Sequence, residues 1–308
     1  MRTTSGLQLG ISLPQNFPER RLDLAYLREY IGRAEAIGFD DGWLTENILS
    51  GNFQLEPLTY LSYLAAMTER IRLGVAIVIL NTRNPVQLAK ALASLDQLSN
   101  GRVTLGVGLG AGTHNYAAFG VPAERRVARF EEALKVMKAL WTEEHATVAG
   151  EFWKLEGVRV EPKPLQKPHI PVIFGGHAQA ALRRAVRLGD GWMAAGSIST
   201  EQSIESLKEI RGYLKEAGRD ESKFMLSKRL YVAADNDEAK ARQRLSEALA
   251  FQYGSRDYQS MGVAGAPGRI VEVVGKLREA GARHVVLNVL YEHIEQMEAV
   301  AARVVPQL

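Results

Sequence analysis

The chain has 308 residues, of which 46% are hydrophobic and 24% charged, a composition typical of a water-soluble protein with a large core. It contains no cysteine, which excludes disulfides, thiolate catalysis and cysteine-based metal sites. The net charge of +3 is spread over helices with acidic neighbours, and no apolar run could cross a membrane, so neither a nucleic acid nor a membrane is an expected partner. Since the N-terminus lacks a signal-peptide pattern, a cytoplasmic location is expected.

Short buried-strand patterns alternate with amphipathic helix patterns along the whole chain. The strand patterns lie near residues 7–13, 39–44, 71–79, 103–107, 171–174, 190–194, 224–233 and 284–290. The helix patterns include residues 22–37, 84–98, 124–141, 201–217, 236–252 and 268–280. Eight such alternations favour a closed parallel (β/α)8 barrel, a TIM barrel, over an open doubly wound sheet. No repeat or linker interrupts them, so we expect a single domain over residues 1–308.

Two segments break the alternation and are predicted to be insertions at the carboxyl end of the barrel. Residues 145–171 contain a predicted hairpin, with strands at 146–149 and 151–154, followed by a proline-rich connector. Residues 253–267 are rich in small and aromatic residues, which is typical of a loop on the substrate side. Long loops in a compact fold are more often functional than idle, although a plain connector remains an alternative for both segments.

Glycines at the ends of two predicted strands point to a ligand site. The fourth strand runs into four alternating glycines, Gly106, Gly108, Gly110 and Gly112. Alternate glycines remove side chains from one face, so a flat ligand could lie against bare backbone. The fifth strand ends in Gly175 and Gly176 and opens onto a helix, whose free N–H groups and dipole suit a phosphate. The two strand ends together predict one enzyme site for a large, planar, phosphorylated cofactor.

An ordered set of segments resembles the bacterial luciferase-like family of flavin-dependent oxidoreductases. The segments are residues 38–47, 84–90, 95–108, 119–122, 171–176 and 189–192. The family uses a (β/α) barrel and binds either FMN or the deazaflavin coenzyme F420 over the barrel mouth. The resemblance therefore implies an oxidoreductase that acts on a small organic substrate, with monooxygenase chemistry first and F420-dependent hydride transfer as the alternative. It also implies a homodimer, with a separate flavin reductase as a partner of a monooxygenase.

The resemblance also assigns cofactor-binding positions. Four residues match the family's phosphate-binding turn: Gly175, Gly176, His177 and Ala178. Gly108 and Gly110 match the backbone beside the ring. Ala76 and Ile77, in the third strand, match the place where relatives carry a non-proline cis peptide behind the ring. We therefore predict a cis bond between these two residues.

The chain departs from its relatives where they carry acid–base residues. Relatives commonly have Asp-His after the second strand, where this chain has Glu46 and Asn47, and asparagine cannot titrate near neutral pH. A sugar-phosphate dehydrogenase is therefore not expected. Glu46 and His114 are the catalytic candidates, although Glu46 could instead pair with a neighbouring arginine and His114 could face solvent. Hydrogen-bonding neighbours in the same region are Asn81, Asn115 and Tyr116, and Asn81 is also expected to bind the cofactor.

There are three alternatives to a catalytic flavin site. An NAD-type open-sheet dehydrogenase requires a helix directly after the glycines, whereas residues 113–122 intervene here. A non-catalytic flavin-binding protein on the same barrel stays open. A metal site is not expected, because the remaining histidines lack ligand spacing: His145, His169, His284 and His293. The substrate itself depends on the loops at 48–56, 111–122 and 253–267.

Overall fold

The structure is a computed structural model in which residues 6–110, 116–254 and 260–308 are described. The strands are β1 (Gln8–Ser12), β2 (Asp41–Leu44), β3 (Arg72–Ile79), β4 (Val103–Gly108), β5 (Ala146–Ala149), β6 (Lys154–Val158), β7 (Val172–Phe174), β8 (Gly191–Ala194), β9 (Met225–Ala234), β10 (Gly262–Gly265) and β11 (His284–Asn288). The helices are α1 (Leu24–Ile37), α2 (Pro57–Ala65), α3 (Pro85–Leu98), α4 (Arg126–Thr142), α5 (Gln179–Leu188), α6 (Thr200–Glu216), α7 (Glu238–Tyr253), α8 (Pro267–Glu279) and α9 (His293–Arg303).

Eight of these strands form a closed parallel barrel. The order around it is β1, β2, β3, β4, β7, β8, β9 and β11, and β11 pairs in turn with β1. All these pairings are parallel, as they must be when a helix returns the chain to the same end of the barrel each time. The predicted TIM barrel is therefore confirmed.

Local signals in the sequence set the ends of the helices. Asp23 caps α1, its side chain accepting a hydrogen bond from the N–H of Tyr26, and Gly38 ends the helix with a φ of 95°. Asn84 caps α3 in the same way, with Pro85 in the first turn. Polar caps at the start and a left-handed glycine at the end are the usual way to satisfy terminal backbone groups. Among the described helices, none is long and apolar enough to cross a membrane.

Large side chains fill the barrel interior. The cluster comprises Trp43, Ala76, Ile173, Met193 and Val286, with Ile77 and Met225 packed against it. The ring of Trp43 takes up space that glycine leaves free on both neighbouring strands, since a Cβ atom at Gly74 would overlap it and one at Gly10 would lie 3.0 Å away. The interior is thus a packed core, as in other TIM barrels, and ligands are confined to the mouth.

A buried polar network lies lower in the barrel, near the amino ends of the strands. His284 Nε2 is 2.9 Å from Asp41 Oδ1, and His284 Nδ1 is 2.7 Å from Ser227 Oγ. The indole N–H of Trp43 also donates to Asp41 Oδ1. His284 is fully buried and satisfied on both ring nitrogens, as is usual for a buried polar side chain.

The last part of β9 extends beyond the barrel. Tyr231 to Ala234 pair in parallel with β10, whereas the first part of β9 pairs with β11. The segment predicted as a loop over 253–267 thus contains a strand, which is a correction. Its position at the carboxyl end of β9 agrees with the prediction, and residues 255–259 lie outside the described part.

The hairpin after α4 differs from its predicted bounds. The second strand, β6, begins at Lys154, whereas residues 151–154 were expected to form it. Residues 151–153 instead form the turn, and their three N–H groups donate to the carboxylate of Glu132 on α4 at 2.7 to 3.0 Å. The helix carboxylate therefore fixes the turn, and the strand can start only after it.

The hairpin and its connector do not lie at the mouth, which corrects the predicted position of residues 145–171. Gln166 in the connector donates to the carbonyl of Val103 at 2.8 Å and accepts from Arg72 Nη2 at 3.1 Å. Val103 and Arg72 are the first residues of β4 and β3. The reason is chain direction: a segment between a helix and the next barrel strand lies at the amino end of the barrel. The plain-connector interpretation fits this segment.

Candidate active site

The mouth of the barrel is marked by an irregularity in β3. The pairing of β3 with β4 shifts its register between Val75 and Val78, so Ala76 and Ile77 form a bulge. The peptide bond between Ala76 and Ile77 is cis, and this prediction is confirmed. Val75 and Val78 are fully buried, whereas Ala76 is 9% exposed and Ile77 is partly exposed. The bulge therefore turns backbone and one aliphatic side chain toward the mouth.

The glycines of β4 and β7 make room for Ile77. A Cβ atom at Gly108 would lie 2.6 Å from Ile77 Cδ1, and one at Gly175 would lie 3.0 Å from Ile77 Cγ2. Gly110, with a φ of 79°, faces Ile79 in a similar way. Contact of the backbone at Gly108 and Gly110 with a flat ligand stays a prediction. The face that the glycines leave open is filled by Ile77, so a flat ligand would meet that side chain.

The turn between β7 and α5 adjoins the bulge. The N–H of Gly175 donates to the carbonyl of Val107 at 3.0 Å, so the ends of β4 and β7 lie side by side. The indole N–H of Trp192 donates to the carbonyl of Gly176 at 2.7 Å and fixes the turn, in which Gly176 has a φ of 102°. Gly176, His177 and Ala178 are all exposed.

Helix α5 begins without a polar cap. Its N-cap position is Ala178, whose side chain cannot accept a hydrogen bond, and no other described side chain caps the helix. The first N–H groups of a helix normally need an acceptor, and their dipole favours an anion. The four residues predicted to bind phosphate are thus brought to one exposed, electropositive turn, and their binding of phosphate stays a prediction.

Glu46 is engaged by protein groups on both carboxylate oxygens. Oε1 accepts from the N–H of Ile79 at 2.8 Å, and Oε2 accepts from Nε and Nη2 of Arg83. Arg83 also bonds Glu56 at 2.6 Å. Burial raises the pKa of Glu46, and the charge of Arg83 opposes that rise. The contacts match the interpretation of Glu46 as a partner of a neighbouring arginine; a catalytic role stays a prediction.

Asn81 lies beside the same bulge and is buried. Its Nδ2 donates to the carbonyl of Arg126 at 2.8 Å and to Tyr116 OH at 3.3 Å, while Tyr116 OH donates to the carbonyl of Leu109 at 2.7 Å. Asn81 Oδ1 is buried without a hydrogen-bond partner. Asn81 therefore ties α4 to the end of β4 and retains one free acceptor. The other catalytic candidate, His114, lies outside the described residues, as does Asn115.

A third group of polar residues lies just beneath the mouth and was not predicted from the sequence. Arg229 on β9 is buried and contacts Ala76 O, Tyr231 and Tyr253. One signal was available: in the predicted strand 224–233, Arg229 and Tyr231 share one face, two residues apart. A charged residue on the inner face of a barrel strand is unusual enough to mark it.

A cavity of about 280 Å³ opens next to the mouth, at the carboxyl ends of β1, β2 and β11. Ser12, Trp43 and Asn288 line its barrel side, and Phe251 lines its outer side. His293, at the start of α9, also lines it, and burial lowers the pKa of His293 to about 4. His293 is therefore neutral at physiological pH.

We expect His293 to make the protein sensitive to mild acid. An unfolded chain protonates histidine near pH 6.5 and the folded protein only near pH 4, so the free energy of unfolding falls as pH drops through this window. The loss stays below roughly 1.4 kcal/mol per pH unit, because only one proton is linked to unfolding. His293→Phe should remove this slope in urea unfolding at pH 7, 5.5 and 4.5, whereas His145→Phe at the surface should keep it. Equal slopes for wild type and His293→Phe would contradict the assignment.

Similarity to known proteins places the chain in a family. The profile of the family described as luciferase-like monooxygenase matches residues 6–301. The chain belongs to this family. A solved structure, that of the monooxygenase RslO1 from Streptomyces bottropensis, superposes with a TM-score of 0.83 over 97% of this chain and 99% of that one, at 24% identity. At that identity the likeness shows the fold alone.

Curated relatives in the family are named for two different cofactors. The FMNH2-dependent dimethylsulfone monooxygenase of Pseudomonas putida is 28% identical over 74% of this chain and 63% of its own length. The F420-dependent glucose-6-phosphate dehydrogenase of Kineococcus radiotolerans is 32% identical over 70% of this chain and 66% of its own length. The chain covers 58% of the length of uncharacterized Mycobacterium tuberculosis and Mycobacterium bovis proteins, to which it is 39% identical over 168 residues. The luciferase-like family thus contains enzymes of both cofactor types.

Proposed function

We propose that this protein is a flavin-type oxidoreductase that binds FMN at the barrel mouth and oxygenates a small organic substrate, with a separate flavin reductase supplying reduced cofactor. One observation carries the proposal. The uncapped start of α5 and the bulge at Ala76 and Ile77 lie at the same end of the barrel, joined through the Gly175 to Val107 hydrogen bond and the contact of Ile77 with Gly175. A phosphate and the ring of one molecule could therefore be held at neighbouring positions.

The residues at the α5 turn fit a phosphate. They offer backbone N–H groups, the positive end of a ten-residue helix and no competing carboxylate at the N-cap position. Gly176 has a φ that favours glycine, and the carbonyl of Gly176 accepts a hydrogen bond from the indole N–H of Trp192. A helix N-terminus of this kind is a common phosphate site in α/β proteins. The turn would hold the phosphate through main-chain atoms, so His177 is not required to titrate.

The residues at the bulge fit a flat ring. Ile77 offers an aliphatic surface that is fixed by contacts with Gly108 and Gly175, and Asn81 Oδ1 is a buried acceptor without a hydrogen-bond partner. A bound flavin would supply the electron pair and the reaction with oxygen. The protein's part is to place the ring, to keep water away from it and to set the electrostatic field around it.

The two residues that follow β2 in this region, Glu46 and Asn47, favour oxygenation over dehydrogenation because neither can act as a free base. A dehydrogenase needs a base for the hydroxyl proton of its substrate. Asn47 cannot serve, and both oxygens of Glu46 are occupied by Ile79 N–H and Arg83, so neither residue after β2 offers a free base. F420-dependent hydride transfer is the second candidate, since the relative with 32% identity is named for that cofactor.

The proposal is tested by the absorption spectrum of the purified protein mixed in turn with FMN and with F420. We expect saturable spectral changes with FMN and consumption of oxygen by the reduced complex. Because deazaflavin reacts poorly with oxygen, binding of F420 alone, without oxygen consumption, would instead support hydride transfer. Tight binding without substrate-dependent turnover would indicate a non-catalytic flavin-binding protein. Binding of neither cofactor would overturn the proposal.

A further inference from the structure

A buried arginine crosses the barrel interior beneath the mouth. Arg229 lies on β9 and is 8% exposed, yet its Nη1 donates to the carbonyl of Ala76 on β3 at 3.1 Å. The two strands are four positions apart in either direction around the barrel. The guanidinium therefore sits centrally, directly behind the bulge that faces the mouth.

The guanidinium has no acidic partner among the described residues. Its Nη2 donates to Tyr231 OH at 2.7 Å and to Tyr253 OH at 3.4 Å, and its Nε is buried without a partner. Arginine stays protonated in proteins, so this is a full positive charge in the barrel core. A buried cation without a counter-ion is costly, and such a charge is normally balanced by an anion.

We propose that Arg229 is the counter-charge for the reduced, anionic ring of FMN, so that its removal weakens the binding of reduced FMN more than that of oxidised FMN. This inference rests on the proposed function. The reduced flavin ring loses a proton near neutral pH and carries negative charge over its pyrimidine end, whereas the oxidised ring is neutral. A ring lying on Ala76 and Ile77 would have the guanidinium one hydrogen bond behind it, in a region from which water is excluded and charges interact strongly.

Tyr231 and Tyr253 position this charge. Both hydroxyl groups contact Arg229 Nη2 and each other. Tyr231 is itself held against the chain after β8, where a Cβ atom at Gly196 would lie 2.6 Å from Tyr231 Cε2. Tyr231→Phe removes one contact of the guanidinium and keeps its charge, so it should weaken the preference for reduced FMN less than removal of the charge does.

The test is anaerobic titration of wild type and variants with oxidised and with reduced FMN, together with the midpoint potential of the bound flavin. We expect wild type to bind reduced FMN at least tenfold more tightly. Arg229→Gln should lose that preference, which for a two-electron couple lowers the potential by about 30 mV per tenfold change. Arg229→Lys should restore most of it. Tyr231→Phe should reduce the preference for reduced FMN about threefold. It provides the test of the inference if Arg229→Gln does not fold.

Lys228→Met is the matched control, because it removes a buried amino group from the adjacent residue of the same strand. Lys228 Nζ donates to the carbonyls of Ala195 and Ile198 and does not contact the bulge, so its removal should leave the preference within about twofold. The inference would be overturned if Arg229→Gln and Tyr231→Phe kept the wild-type preference, or if they weakened the binding of both FMN forms equally. Either result would leave the proposed function standing. If wild type binds F420 and not FMN, the inference fails while flavin-type binding stands; if it binds neither, the proposed function fails as well.

Discussion

Replacing Ala178 by aspartate should stabilise the protein and, at the same time, remove most of its affinity for a phosphorylated cofactor. Ala178 is the N-cap residue of α5 and has extended backbone angles, with φ −65° and ψ 142°, which suit a capping side chain. An aspartate there would accept hydrogen bonds from the first-turn N–H groups and should add about 1 kcal/mol to the free energy of unfolding. The same carboxylate would occupy and repel the phosphate site, so cofactor affinity should fall roughly 100-fold.

The measurement pairs urea unfolding with cofactor titration of the same variant, and the chain offers a matched control. Ala266 is the exposed, uncapped N-cap residue of α8, with φ −57° and ψ 143°. In both helices the N-cap carbonyl accepts a hydrogen bond from the residue three positions later, Ala181 or Arg269. Ala266→Asp should therefore give a similar gain in stability with cofactor affinity unchanged.

The outcome separates two positions for the phosphate. Loss of affinity in Ala178→Asp alone would support the turn after β7. Loss in Ala266→Asp alone would place the phosphate at α8 instead and would contradict a phosphate-binding role for Gly176 and His177. Equal affinity in both variants and wild type would show that neither helix start contacts the cofactor.

Much of the barrel could be read from the sequence because its signals are local. Each barrel strand begins and ends within two residues of its predicted bounds, since a short buried run between glycine, polar caps and amphipathic helices has few alternative structures. The turn at Gly175 and Gly176 could be predicted from the sequence equally well. A helix that begins after Gly-His-Ala, without a serine, threonine or aspartate cap, already suggests that its N–H groups serve a ligand.

The missed features depend on contacts between distant parts of the chain. Arg83 lies 37 residues from Glu46, and Arg229 lies 153 residues from Ala76, so neither pairing has a sequence signal. The sequence could not show which residue lies against Gly108, for the same reason. The sequence shows that a side chain is missing there, but only the structure shows that Ile77, from the neighbouring strand, takes the space.

The titration of Lys228 should give the protein an unusual dependence of stability on alkaline pH. Lys228 is fully buried, and burial, together with the charge of Arg229, lowers its pKa to about 7. In the unfolded chain a lysine keeps its proton up to about pH 10.5. Between pH 7 and 10.5 the unfolded state therefore binds more protons than the folded state, and the contribution of Lys228 to the free energy of unfolding rises by roughly 1.4 kcal/mol per pH unit.

Lys228→Met removes this contribution, so wild type should gain stability relative to the variant at each step from pH 7 to 10 in urea unfolding. The carbonyls of Ala195 and Ile198 lose their donor in the variant, but that cost does not change with pH. Lys276→Met, at an exposed lysine whose pKa is raised by Glu272, should keep the wild-type rise over the same range. Parallel stability curves for wild type and Lys228→Met would mean that the buried amino group keeps its proton, with the two carbonyls compensating for the loss of water.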